Sequence, residues 1–156
     1  MLAEDAEGDE KVMATASAKP YTSHKAAANG ERSESLFKRQ PGTDRELEKY
    51  KALPKWEVLV MVVDPELQGR GIAGQLMGMT VEEIKRRCVT DPKGKESGKV
   101  MLMLSSMQEL NETYYAKRGW TTTGVRRFQP GTMGSRDGFG VVEMMKIVDL
   151  QEMRFL

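Results

Sequence analysis

The chain has 156 residues, with 24 Lys and Arg against 23 Asp and Glu and a formal net charge of +1 at pH 7. That length holds one domain, or one domain and a tail, and so even a balance gives no footing to nucleic acid or an acidic membrane as partner. A single cysteine, Cys88, excludes an internal disulfide and fits a reducing, cytoplasmic or otherwise intracellular setting, while the lone His24 excludes a histidine-rich metal site.

The N-terminus is acidic where a signal peptide would be basic and then apolar, and no stretch approaches the roughly 18 apolar residues of a membrane span. From Met1 to Ser35 the bulky apolar residues are Met1, Leu2, Val12, Met13 and Tyr21, scattered among Ala, Ser, Thr, Lys and Glu. So little apolar surface does not offset the entropy of ordering, and residues 1–42 read as a disordered, low-complexity tail. Gln40-Pro41-Gly42 is the expected hinge into a domain over 43–150. Thr43 and Glu46 have the spacing of a capping box, which predicts a helix from Thr43 to about Leu53, where Pro54 stops it.

Trp56 to Val63 is a nearly continuous apolar run, the pattern of a strand covered on both faces at the centre of a sheet. Asp64-Pro65-Glu66-Leu67 turns the chain into the glycine-rich Gln68-Gly69-Arg70-Gly71-Ile72-Ala73-Gly74. A helix follows, with Ile72, Ala73, Leu76, Met77, Thr80, Val81 and Ile84 at helical spacing. Glycines at 69, 71 and 74 let the backbone bend and leave its N–H groups approachable. The opening N–H groups of a helix lack intrahelical partners and sit at its positive end, so the loop is shaped to cradle phosphate, with Arg70 adding a charge. The bland alternative is a glycine-rich helix start without a ligand. Gly74 and Gly78 inside the helix predict close neighbours, a ligand for Gly74 and the sheet for Gly78. The basic clusters Lys85-Arg86-Arg87 and Arg126-Arg127 read as solvated faces.

Asp91 to Gly98 reads as a polar loop and Lys99 to Leu104 as a second buried strand, parallel to the first through a right-handed crossover. A helix over about Met107 to Lys117 places Leu110 and Tyr114 on one face and ends in Arg118-Gly119, with the glycine as expected C-cap. Thr121 to Phe128 and Phe139 to Val148 read as an antiparallel pair. Four strands and three helices make a mixed α/β domain.

Gly69 to Gly74 satisfies the dinucleotide spacing G-x-G-x-x-G, but five residues separate it from its strand and the next apolar strand ends in Leu104-Ser105-Ser106 rather than in an acid, which argues against a nucleotide fold. Val63-Asp64-Pro65 followed by Gln68, Gly71 and Ala73 instead resembles motif A of the GCN5-related N-acetyltransferases. Tyr114-Tyr115-Ala116-Lys117-Arg118-Gly119-Trp120 is similar to that family's Leu-Tyr-x-Lys-x-Gly-Phe element. The resemblance covers about Trp56 to Val148. It implies an acyl-CoA N-acyltransferase-like fold, a mostly antiparallel sheet with a central parallel pair, and acetyl-CoA as co-substrate. Met61 and Val63 would pair with the pantetheine arm, and Gln68, Gly69, Arg70, Gly71, Ile72, Ala73 and Gly74 would hold the pyrophosphate. It implies Tyr115 as the acid that reprotonates the departing thiolate, where the bland alternative is an aromatic packing its helix. The family commonly uses a glutamate or an ordered water on the strand before motif A as base, so Glu57, the acid on that strand, is the candidate, where the bland alternative is a strand-end glutamate facing solvent. A small-molecule or peptide amine would be the acceptor.

The family's N-terminal strands and helices have no counterpart legible in residues 1–42. The expectation is therefore a partial domain whose Trp56 strand has an unpartnered outer edge, prone to self-association. The alternative to an enzyme is a truncated coenzyme A-binding or protein-interaction module without turnover.

Overall fold

The computed structural model describes residues 2–4, 10–21 and 36–151. In chain order β1 (Leu2–Glu4) and β2 (Glu10–Val12) form an antiparallel pair of their own. Then come β3 (Ala14–Pro20), β4 (Leu36–Arg39), α1 (Thr43–Lys49), β5 (Lys55–Val63), α2 (Ile72–Thr90), α3 (Pro92–Ser97), β6 (Lys99–Met107), α4 (Gln108–Ala116), β7 (Thr121–Phe128) and β8 (Phe139–Asp149). One six-stranded sheet takes the order β3-β5-β6-β8-β7-β4. The fold is mixed α/β, and the sheet is antiparallel throughout except for the parallel pair β5–β6.

The core lies between one face of the sheet and the helices α2 and α4. Val58, Val100, Leu102, Leu104, Val142 and Met144 meet Met77, Ile84 and Cys88 of α2 and Tyr115 of α4. Val100, Leu102 and Val142 are 0 % exposed, each stabilising by about 1.5–3 kcal/mol. Lys85 departs from the solvated-face expectation: it is buried on α2 with its ammonium 2.9 Å from Glu82 Oε1, because a paired lysine can lay its long stem along apolar surface. Among the described residues no helix is long and apolar enough to cross a membrane.

The largest departure is at the N-terminus. The outer edge of β5, expected to be bare, is paired along its length with β3, from Ala14↔Val63 to Pro20↔Trp56. The Met13 carbonyl accepts from Asp64 N and the Lys55 carbonyl from Tyr21 N, extending the ladder at both ends. An edge strand needs only backbone partners and one modest apolar face, and Ala14, Ala16 and Ala18 supply that face against solvent-exposed Thr15 and Ser17. Pro20 is tolerated because it ends the strand at the edge of the sheet. β4 joins the opposite edge through β7. Two strands from within residues 1–42 thus belong to the sheet, so the tail and domain boundary expected at residue 42 does not divide the fold; residues 5–9 and 22–35 lie outside the described residues.

Other local corrections have identifiable causes. The capping box at Thr43 and Glu46 does not form: Gly42, in the left-handed region (φ 82°), is the N-cap, and Thr43 becomes a buried first helical residue. α1 also stops at Lys49. The expected loop after α2 holds α3, with Asp91 Oδ1 accepting from Lys93 N and Pro92 opening the helix. Leu110, expected to share a face of α4 with Tyr114, is 71 % exposed, and the buried face is carried by Tyr115. Gly78 has no atom within 4 Å of where a Cβ would stand, so no close sheet contact explains it.

Candidate functional site

β5 and β6 pair from Lys55↔Met101 to Val58↔Leu104 and then part. β6 runs on beside β8 as far as Met107↔Val141, while β5 runs on beside β3. The parting falls at a bulge. Val58 faces Ala18 and Val60 faces Ser17, so Leu59 is an extra residue with no opposite number on β3. Such a residue bends its strand and increases the local twist, which carries β5 away from β6. Leu59, Val60 and Val62 are consequently about half exposed rather than covered on both faces as the apolar run suggests. Beyond Val58 the inner edge of β5 has no neighbouring strand among the described residues, and its backbone groups there face a cleft.

The glycine-rich loop closes one end of this cleft. Asp64 Oδ1 accepts from Glu66 N, the Asp64 carbonyl accepts from Leu67 N, and the Gln68 amide side chain returns to the Val63 carbonyl at 3.3 Å. These bonds turn the chain at the end of β5. Gly69 and Gly71 both stand at positive φ (78° and 80°), where an L side chain is strained, and a Cβ on either would meet nothing within 4 Å. The ladder of α2 begins with Gly74 and Gln75 donating to the Gly71 carbonyl at 3.0 and 3.2 Å, so the N–H groups of Ile72 and Ala73 lie ahead of it.

A cavity of about 460 Å³ is lined by Met61 and Val63 of β5, by Gln68, Gly69, Gly71, Ile72, Ala73 and Gly74, and from α4 by Asn111, Tyr114, Tyr115 and Arg118. The structure brings together every sequence-selected binding residue except Arg70, whose exposed side chain is not part of the wall. Among the described residues the charge on the wall is Arg118, to which the sequence reading gave no binding role. Its position before the Gly119 turn, at the C-terminal end of α4, is the signal that could have found it.

Tyr115 lines this cavity and a second of about 260 Å³ between the parted strands, walled also by Leu59, Val60, Ser105 and Ser106. Asn111 lies on both walls and donates to Ser106 Oγ at 2.9 Å. The Tyr115 ring is held edge-on between Tyr114 (centroids 5.2 Å) and Trp120 (6.0 Å). Burial pushes its phenol above the ordinary tyrosine range, and neighbouring Tyr114 adds to the rise. The group therefore keeps its proton at neutral pH. A thiolate is a weaker base than this phenolate, so the phenol can hydrogen-bond to a thiolate placed against it and gives up the proton only as negative charge builds up there.

Glu57 is not in this cleft. It lines a separate cavity of about 200 Å³ with Tyr21 and Glu143, and its Oε2 lies 3.8 Å from Lys19 Nζ. Leu104 and Ser105 are shared between that cavity and the strand cleft. Glu57 and Tyr115 thus approach the parted strands from different cavities rather than sharing one.

No protein-family model matches the sequence, and no curated protein matches it. Among solved structures the chain is similar to the ribosomal-protein-S18-alanine N-acetyltransferase from Escherichia coli, at 18% identity and TM-score 0.46 over 65% of this chain. It is similar to Chaetomium thermophilum Naa20 in complex with a bisubstrate analogue, at 14% identity and TM-score 0.43 over 93% of this chain. Arabidopsis thaliana Naa50, in complex with the bisubstrate analogue CoA-Ac-MVNAL, matches 72% of this chain at 14% identity and TM-score 0.41. The chain spans 60%, 63% and 61% of the length of these three structures.

Proposed function

We propose that the protein is an N-acetyltransferase-like enzyme that takes acetyl-CoA in the cleft between β5 and β6 and passes the acetyl group to an amine acceptor, a small molecule or a peptide. The observation that carries this reading is the parting of β5 from β6 at the Leu59 bulge beside a glycine-rich helix start. An extended chain with amide groups can add to the free edge of residues 59–63 as a strand would, and a pyrophosphate at its other end would reach the N–H groups of Gly69 to Ala73. Met61 and Val63 supply the edge. Tyr115 lines both cavities, which supports its reading as the group that returns a proton to the leaving thiolate. The acetyl thioester supplies the electrophilic carbonyl, and this chain's residues orient it, exclude water and return the proton.

A second reading, a coenzyme A-binding module without turnover, is favoured by one observation: among the described residues no carboxylate or histidine lines either cavity of the cleft. Glu57 would have to act past Leu104 and Ser105.

A thermal-shift panel of acetyl-CoA, coenzyme A, NAD and ATP, followed by a free-thiol assay with mixed amine acceptors, separates the readings. The enzyme reading expects stabilisation by the first two ligands and acceptor-dependent thiol release; stabilisation without release leaves the binding module, and no stabilisation by either ends both. Gly71→Glu, still folded by circular dichroism, should bind coenzyme A at least about tenfold more weakly, since a side chain and a negative charge enter the phosphate cradle. Undiminished affinity would remove the loop from the site.

A further inference from the structure

We propose that Arg118 is a phosphate clamp facing the start of α2, so that the anionic part of the ligand is held between a guanidinium and a helix N-terminus. Among the described residues Arg118 carries the charge on the wall of the larger cavity, and no acidic side chain lines that wall. Arg39, Arg86, Arg87, Arg126 and Arg127 each lie within ion-pair distance of a carboxylate. Arg118 differs from them. Its guanidinium lies 3.6 Å over the Tyr114 ring centroid and its Nη1 donates to the Tyr114 carbonyl at 3.0 Å, contacts that hold the group without neutralising it.

The placement is specific on both sides. A Cβ on Gly74, in the first turn of α2, would stand 4.0 Å from Arg118 Nη2 and 4.0 Å from Tyr114 Oη. The guanidinium therefore spans the gap between the two helices at the level of the first turn of α2. Tyr114 Oη is buried and has no hydrogen-bond partner in the structure. A buried hydroxyl without a partner is costly to keep, and an oxyanion seated beside Arg118 would accept from it. The backbone of Arg118 is also fixed, its carbonyl accepting from Lys146 Nζ at 2.7 Å. A planar cation held over an aromatic ring beside a helix N-terminus suits a tetrahedral phosphate group, because the guanidinium and the opening N–H groups can bind different oxygens of it. The clamp presupposes the coenzyme A reading of the cleft and names a residue of its phosphate end.

The experiment is isothermal titration of the full chain and of Arg118→Ala and Arg118→Lys with coenzyme A, dephospho-coenzyme A, pantetheine and inorganic pyrophosphate. Arg118 is exposed, so both variants are expected to keep the parent's circular dichroism and melting temperature within a few degrees. Arg118→Ala should weaken coenzyme A and pyrophosphate at least about tenfold and leave pantetheine unchanged, with Arg118→Lys between the two. Equal losses for coenzyme A and dephospho-coenzyme A assign the clamp to the pyrophosphate, whereas a loss for coenzyme A alone assigns it to the 3′-phosphate. Unchanged affinities, or a loss for pantetheine as large as that for coenzyme A, would overturn it. If the parent binds pyrophosphate in an Arg118-dependent way but not coenzyme A, the clamp stands and the coenzyme reading falls; binding of neither overturns both.

Discussion

Tyr115 is the residue on which chemistry would turn, and two expectations separate a proton donor from a packed ring. If it donates to a leaving thiolate, Tyr115→Phe lowers kcat by about 10²–10⁴ while coenzyme A affinity stays within a few-fold; an unchanged kcat returns the ring to packing alone. Its pKa, raised by burial and then by Tyr114, has a linked effect on stability. The folded state holds this proton to higher pH than the unfolded chain does, so the stability it contributes is present below the ordinary tyrosine value of about 10 and is lost as pH rises through the raised value. Urea midpoints compared at about pH 9 and about pH 11 should therefore fall more for the parent than for Tyr115→Phe. An equal fall in both would show that the phenol titrates alike in the two states.

At the scale of elements, the Leu59 bulge is what opens the sheet. Removing one residue of a bulge restores a regular ladder and shifts the register beyond it. Deleting Leu59 should let β5 continue beside β6, close the cleft and abolish coenzyme A binding while the far-ultraviolet circular dichroism is retained. Full affinity in the deletion would mean that the bulge does not shape the site. The strand, loop and helix from Lys55 to Thr90 were legible in the sequence because each signal is local: an apolar run, a turn at Asp64-Pro65 and a repeating apolar face. The bulge was not legible, since it is a mismatch between β5 and β3 and exists only once the two are paired. β3 itself was missed for a related reason. Ala14, Ala16 and Ala18 are too small to announce a strand, and the backbone edge of β5 supplies what their side chains lack. Arg118 and Asn111 were passed over because their importance comes from the placing of α4, which sets Arg118 near Gly74 in the first turn of α2 and Asn111 on the walls of both cavities.

At the scale of the whole molecule, β3 protects the apolar strand that organises the sheet. The expected self-association of β5 through its outer edge gives way to a conditional statement: the full chain remains monomeric by light scattering, whereas removal of residues 1–21 exposes that edge and produces dimers or aggregates. A truncated chain that stays monomeric would show that β3 is dispensable. The central claim, that the opened inner edge and the glycine loop form one ligand site, is tested most directly by titrating acetyl-CoA into uniformly ¹⁵N-labelled protein and following the backbone amides. The expected result is saturable shifts concentrated at residues 59–63, at Gly69 to Gly74 and at the end of α4, with β4 and the β7–β8 hairpin little changed. Absence of shifts, or shifts confined to other surfaces, would contradict the account.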